Sequence, residues 1–203
     1  TEQTVAAREV SGVVRARQSS VWIDGYRQLY SAIGSAAELL ASLDSIDLAM
    51  ASFDDALARY RNKWFRIDQL YRQFTHAYRT FEGPHPLGPL RELVEKRYTN
   101  HYVYQLGNAW QQQVDQVEEW QSGELRSQRL FYHDYVEGLI REDKKAVVIV
   151  SDALRYEVAE ELASRIRQED RFDAELDALL GVLPSYTQLG MAALLPHHTL
   201  KHT

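Results

Sequence analysis

The chain has 203 residues, 45% hydrophobic and 26% charged, with 29 acidic against 23 basic side chains and a formal charge of −6. That length can bury one good core or two modest ones, and the lack of cysteine excludes a disulfide scaffold and any thiolate metal site. No stretch approaches the roughly eighteen uninterrupted apolar residues of a membrane span, and the N-terminus has no apolar signal region, so cytoplasmic residence is the expectation.

In chain order, Thr4 to Arg17, Trp22 to Tyr30 and Ser35 to Leu43 read as short helices separated by Ser19-Ser20, Gly34 and the Asp44-Ser45 turn. From Asp54 to Phe81 the apolar residues Trp64, Ile67, Leu70, Tyr71, Phe74, Tyr78 and Phe81 recur at spacings of three and four, the mark of an amphipathic helix. Gly83-Pro84-His85-Pro86-Leu87-Gly88-Pro89 breaks it. A second long helix is expected from about Leu90 to Trp120, and the short break between the two argues for an antiparallel helical hairpin. A further helix is expected from Gly123 through Ile140. Residues 1–143 therefore read as a helical bundle. Its aromatic residues sit at helical spacing and are read as core, and its basic run of Arg59, Arg61, Lys63, Arg66, Arg72 and Arg79 as a solvated or packing face. With a net charge of −6, direct nucleic-acid binding is not expected.

Residues 144–203 have a different grammar. The run Lys145-Ala-Val-Val-Ile-Val-Ser151 is apolar and of strand length, suited to a parallel strand covered on both faces. It empties into Asp152, ahead of a segment from Ala153 to Gln168 that places Leu154, Val158, Leu162 and Ile166 on one helical stripe. Two readings of Asp152 stand side by side: a helix N-cap, or a hard oxygen ligand for a divalent metal at the carboxyl end of a strand, where open α/β sheets place their chemistry. Thr187, in Pro184-Ser-Tyr-Thr187, divides the same way. It or Ser185 could cap a short helix ended by Pro196, or Thr187 could be a nucleophile made reactive by a metal ion.

The wording of Val147-Val-Ile-Val-Ser-Asp-Ala-Leu-Arg-Tyr-Glu-Val-Ala-Glu-Glu-Leu162 and of Leu183-Pro-Ser-Tyr-Thr-Gln-Leu-Gly-Met-Ala-Ala-Leu-Leu-Pro196 closely resembles the start of the PglZ-type phosphatase domain. That family lies in the alkaline phosphatase superfamily and is associated with bacterial BREX phage-defence systems. The resemblance implies that Asp152 is a metal ligand and that Thr187 is both nucleophile and metal contact. It further implies a centre using zinc or another divalent metal that hydrolyses phosphoesters, and other BREX proteins as partners.

The superfamily takes most of its ligands from strands and loops well downstream, whereas this chain ends sixteen residues after Thr187. The histidines of the tail, His197, His198 and His202, read as solvent-exposed rather than as a metal cluster. The expected molecule is thus mainly α: a helical bundle followed, at 144–203, by the truncated start of an alkaline-phosphatase-like α/β domain with about two parallel strands and two helices. On this reading the fragment is inactive alone, carries too few ligands to hold two metals and is prone to self-association through its open sheet. The alternative from a different class is a non-catalytic helical interaction module of a defence complex.

Overall fold

A computed structural model describes residues 9–10, 12–17, 23–82 and 86–200. It is mainly helical and divides into two compact units, Thr1–Asp115 and Gln116–Thr203. The division falls ahead of the boundary at 143/144 read from the sequence.

In the first unit, α1 spans Arg27–Ser45 and follows a 3-10 turn at Ile23–Gly25. It runs unbroken through Gly34, where two helices were expected. A mid-helix glycine costs only about 1 kcal/mol, while the face bearing Ala32, Ala36, Leu39 and Leu43 is buried at about 1.5–3 kcal/mol for each large side chain. Packing outweighs propensity. Residues 1–8, 11 and 18–22 lie outside the described residues, and with them the start of the first expected helix, the Ser19-Ser20 break and Trp22; 12–17 are helical.

Helix α2 comprises Phe53–Arg59, a π-turn at Tyr60–Trp64, and Phe65–Thr80. Its start is capped: Ser52 Oγ accepts from the Asp55 N–H at 3.1 Å, and Asp55 Oδ2 reaches back to accept from the Ala51 N–H at 2.9 Å. Helix α3 comprises Gly88–Lys96, a second π-turn at Arg97–Val103, and Tyr104–Val114. Phe53 stacks on Trp110 with centroids 5.1 Å apart, Tyr71 on Tyr98 at 3.7 Å, and the Arg91 guanidinium lies 5.6 Å from the Tyr78 ring centroid. Early α2 therefore meets late α3, and late α2 meets early α3, so the helices are antiparallel. Residues 83–85, on which the expected Gly-Pro-His break falls, lie outside the described residues.

The core joins Ile67, Leu70, Phe74 and Ala77 of α2 to the buried face of α1 and to Val94, Tyr98 and Tyr102 of α3. Hydroxyls buried with these rings find partners, as buried polar groups require. Asp68 accepts from Tyr60 at 2.6 Å and from Tyr98 at 2.9 Å, and Tyr102 donates to the Trp64 carbonyl at 3.2 Å across the two π-turns. The basic run on α2 is partly spent within the unit, where Arg59 pairs with Asp55 and Arg66 with Glu38.

Helix α3 stops at Val114, short of the expected Trp120. Acidic residues at a helix C-terminus oppose the macrodipole, and Asp115, Glu118 and Glu119 stand there. Asp115 instead closes the last turn, its N–H donating to the Gln111 carbonyl at 2.9 Å and its Oδ1 accepting from the Gln111 amide at 2.7 Å.

In the second unit the helix expected from Gly123 begins later. Ser122 Oγ accepts from the N–H groups of Glu124 and Leu125, forming a turn, and Ser127 caps the true start. Helix α4 comprises a 3-10 turn at Gln128–Leu130, a π-turn at Tyr132–Glu137, and Gly138–Arg141. Helices α5, Tyr156–Gln168, and α6, Thr187–Ala193, complete it.

The two expected parallel strands are not formed. Among the described residues the β pairing is one isolated parallel bridge, Ser127 to Leu180. Residues 145–151 carry no regular structure and are exposed, with Val147 and Ile149 at 86%. A strand exists only by hydrogen bonding to a neighbour, and no described segment offers this one a partner. Of the stripe Leu154, Val158, Leu162 and Ile166, Leu154 and Leu162 are exposed and Val158 and Ile166 half-buried; α5 buries Glu157 and Ala163 instead.

Candidate functional site

Residues 145–151 lead into a turn at Asp152-Ala153, where Ala153 takes the left-handed φ of 57°. Left-handed backbone costs a residue with a Cβ about 1–2 kcal/mol. Asp152 Oδ1 accepts from the Ala153 N–H at 3.0 Å. The N-cap of α5 is Arg155, with extended backbone and no side-chain cap bond, so Asp152 stands three residues ahead of the cap position.

The 183–186 loop contains a cis Leu183–Pro184 peptide and a tight turn from the Tyr186 N–H to the Pro184 carbonyl at 3.0 Å. It delivers Thr187 as the first residue of α6. Tyr186 holds the N-cap position without a side-chain bond, so neither Ser185 nor Thr187 serves as the cap.

The two singled-out residues are brought together across 35 positions of sequence. Thr187 Oγ1 donates to Asp152 Oδ2 at 3.4 Å, and both side chains are exposed. A carboxylate and a hydroxyl at that spacing are hard oxygen donors of the type a divalent ion takes. Their number falls short of a site, because among the described residues no three His, Cys, Asp or Glu gather as a metal-holding group. His197 is occupied locally, its Nδ1 2.7 Å from the Leu195 carbonyl; His202 lies outside the described residues.

Two polar residues of the second unit were not singled out in the sequence. Glu157, in the first turn of α5, is fully buried, although its place in the helical pattern put it among the polar positions. Gln128, in a polar stretch with no periodic signal, reaches the segments on both sides of Thr187: its Oε1 accepts from the Val182 N–H at 3.2 Å and its Nε2 donates to the Gly190 carbonyl at 2.9 Å.

Residues 131–203 match the family model described as the BREX system PglZ alkaline phosphatase-like domain. The chain resembles the PglZ proteins of BREX systems. It is 35% identical over 192 residues to the alkaline phosphatase-like protein PglZ of Bacillus cereus (strain H3081.97), covering 93% of this chain and 22% of that protein. It is 37% identical over 217 residues to the alkaline phosphatase-like protein BrxZ of Escherichia coli O9:H4 (strain HS), covering 98% of this chain and 24% of that one. The chain thus spans under a quarter of the length of these PglZ and BrxZ relatives. No solved structure matches it. The PglZ match begins inside α4, so Asp152, Thr187 and both glycines that flank Gln128, Gly181 and Gly190, fall within it, while Gln128 itself lies outside. No helix among the described residues is long and apolar enough to cross a membrane.

Proposed function

We propose that this chain supplies the opening of a phosphoester hydrolase centre of a BREX-type defence protein, with Thr187 as nucleophile and Asp152 as metal ligand. The observation that carries the reading is the Thr187 Oγ1 to Asp152 Oδ2 contact at 3.4 Å, made between residues with no local reason to meet. The PglZ match over 131–203 supports phosphoester chemistry as its class.

In this reading Thr187 Oγ1 attacks phosphorus, an O–P bond forms and the bond to the leaving oxygen breaks. Water then cleaves the phosphothreonine, restoring the hydroxyl and releasing the phosphoryl group. Asp152 orients the hydroxyl by accepting its hydrogen bond. A divalent ion, zinc as first choice, held by Asp152, Thr187 and ligands from the remainder of the longer protein, would lower the hydroxyl pKa and offset charge on the phosphoryl oxygens. The same remainder would pair 145–151 as a parallel strand, cover Leu154 and Leu162, and so complete the α/β domain. The chain alone then shows no turnover, and other BREX proteins are the partners of the whole.

The test is zinc-dependent hydrolysis of bis(p-nitrophenyl) phosphate by the longer protein, with folding checked by circular dichroism. Thr187→Ala and Asp152→Ala should each lower kcat by about a hundredfold or more. Unchanged rates in both would remove the pair from the chemistry.

A further inference from the structure

We propose that Gln128 is a positioning residue for the Thr187 hydroxyl, an inference that rests on the reading of Thr187 as nucleophile. Its carboxamide spans the loop and helix that carry Thr187: Oε1 takes the Val182 N–H five residues before it, and Nε2 gives to the Gly190 carbonyl three residues after it. One rigid amide thus fixes the separation of the two ends of the segment 182–190, and Thr187 can approach Asp152 only within what that span allows. Positioning at this level matters because misplacing a reacting group by about 1 Å can cost about a hundredfold in rate.

Gln128 is itself held from below. The Gln128 N–H donates to the Leu180 carbonyl at 2.9 Å and the Leu180 N–H to the Arg126 carbonyl at 2.8 Å, the two bonds of the isolated bridge. Ser127 Oγ accepts from the Arg129 N–H at 3.3 Å, and the Trp120 indole donates to the Gly181 carbonyl at 2.7 Å. The bridge therefore pins the backbone on the Val182 side, and the side chain carries that reference across to α6. Apolar burial of Val182 against Leu189 and Ala193 closes the same unit.

The chemistry demands an amide. Glutamine is a neutral side chain that accepts at one atom and donates at another. Gln128→Glu keeps the acceptor for Val182 and sets a carboxylate oxygen against the Gly190 carbonyl. Gln128→Met keeps length and loses both bonds.

The experiment uses the longer protein and bis(p-nitrophenyl) phosphate. Gln128→Met and Gln128→Glu should lower kcat by about tenfold or more with KM little changed. On a Thr187→Ala background, Gln128→Met should have no further effect on residual turnover, whereas a merely structural role would reduce both backgrounds alike. Hydrogen exchange should show faster exchange at the Val182 amide in Gln128→Met, with α5 amides unaltered. If Thr187→Ala abolishes turnover while Gln128→Met leaves both kcat and Val182 exchange at wild-type values, this inference falls and the nucleophile stands. If Thr187→Ala is fully active, or the wild-type protein leaves the diester intact, the reading of Thr187 falls and takes the role of Gln128 with it.

Discussion

Asp143 holds a left-handed φ of 55° just past the end of α4, where the Lys144 N–H donates to the Leu139 carbonyl and the Asp143 N–H to the Ile140 carbonyl. That pair of bonds is the Schellman closure, and its C′ position favours glycine because a Cβ is crowded there. Asp143→Gly should raise the stability of the second unit by about 0.5–1 kcal/mol, read from denaturant midpoints. Tyr102 offers a second residue-scale case. Burial first, and then the Asp68 carboxylate, push its hydroxyl well above the usual 10.0. A pKa raised on folding contributes stability that is whole below the unfolded value and lost as pH climbs beyond it. The first unit should therefore weaken above pH 10. Tyr102→Phe should flatten that dependence while costing about 1 kcal/mol at neutral pH through the lost hydroxyl bond to the Trp64 carbonyl. Denaturation at a series of alkaline pH values checks both.

At the scale of elements, the start of α2 is fixed by Ser52 and Asp55. Ser52→Ala should cost about 1 kcal/mol, measured by thermal or urea unfolding. The Asp55 carboxyl is held below its usual 3.8, chiefly by the hydrogen bond from the Ala51 N–H, which outweighs the opposing effect of desolvation and is aided by the Arg59 hydrogen bond and charge. A depressed pKa gives stability that is present above the unfolded value and lost as pH falls through the folded one. The difference in melting temperature between wild type and Asp55→Asn should therefore shrink as pH drops below 3.8. The courses of α2 and α3 were legible because their apolar spacing tracks a buried face. Their π-turns were not, since one extra residue in a turn leaves spacings of three and four looking ordinary. The stop at Val114 could have been read from Asp115, Glu118 and Glu119. The segment 145–151 was read by its apolar content, but content encodes an affinity for a sheet, and pairing depends on residues elsewhere. Asp152 and Thr187 were singled out through the wording around them. Gln128 was invisible, because a side chain that bonds only to backbone leaves no pattern in sequence.

At the scale of the whole molecule, Val147, Val148, Ile149 and Val150 all leave apolar surface exposed along one short run. An exposed run of this type with unpaired backbone is a template for another chain. The isolated chain should associate with rising concentration, and Ile149→Lys should suppress that association in sedimentation velocity without altering the helical circular dichroism signal. The π-turn at Tyr60–Trp64 bears on how a chain of this kind can change length. An α-helix advances about 100° per residue, so deleting one residue within 60–64 would let the turn close as ordinary helix. Because the wide turn takes up one extra residue within a single revolution, Phe53 and Ala56 would keep their angular relation to Ile67, Leu70 and Phe74. For α2, losing a residue within 60–64 is a local closure, whereas a deletion elsewhere along the helix would turn its two ends about 100° apart, so drift in length is tolerable at the wide turn and costly beside it.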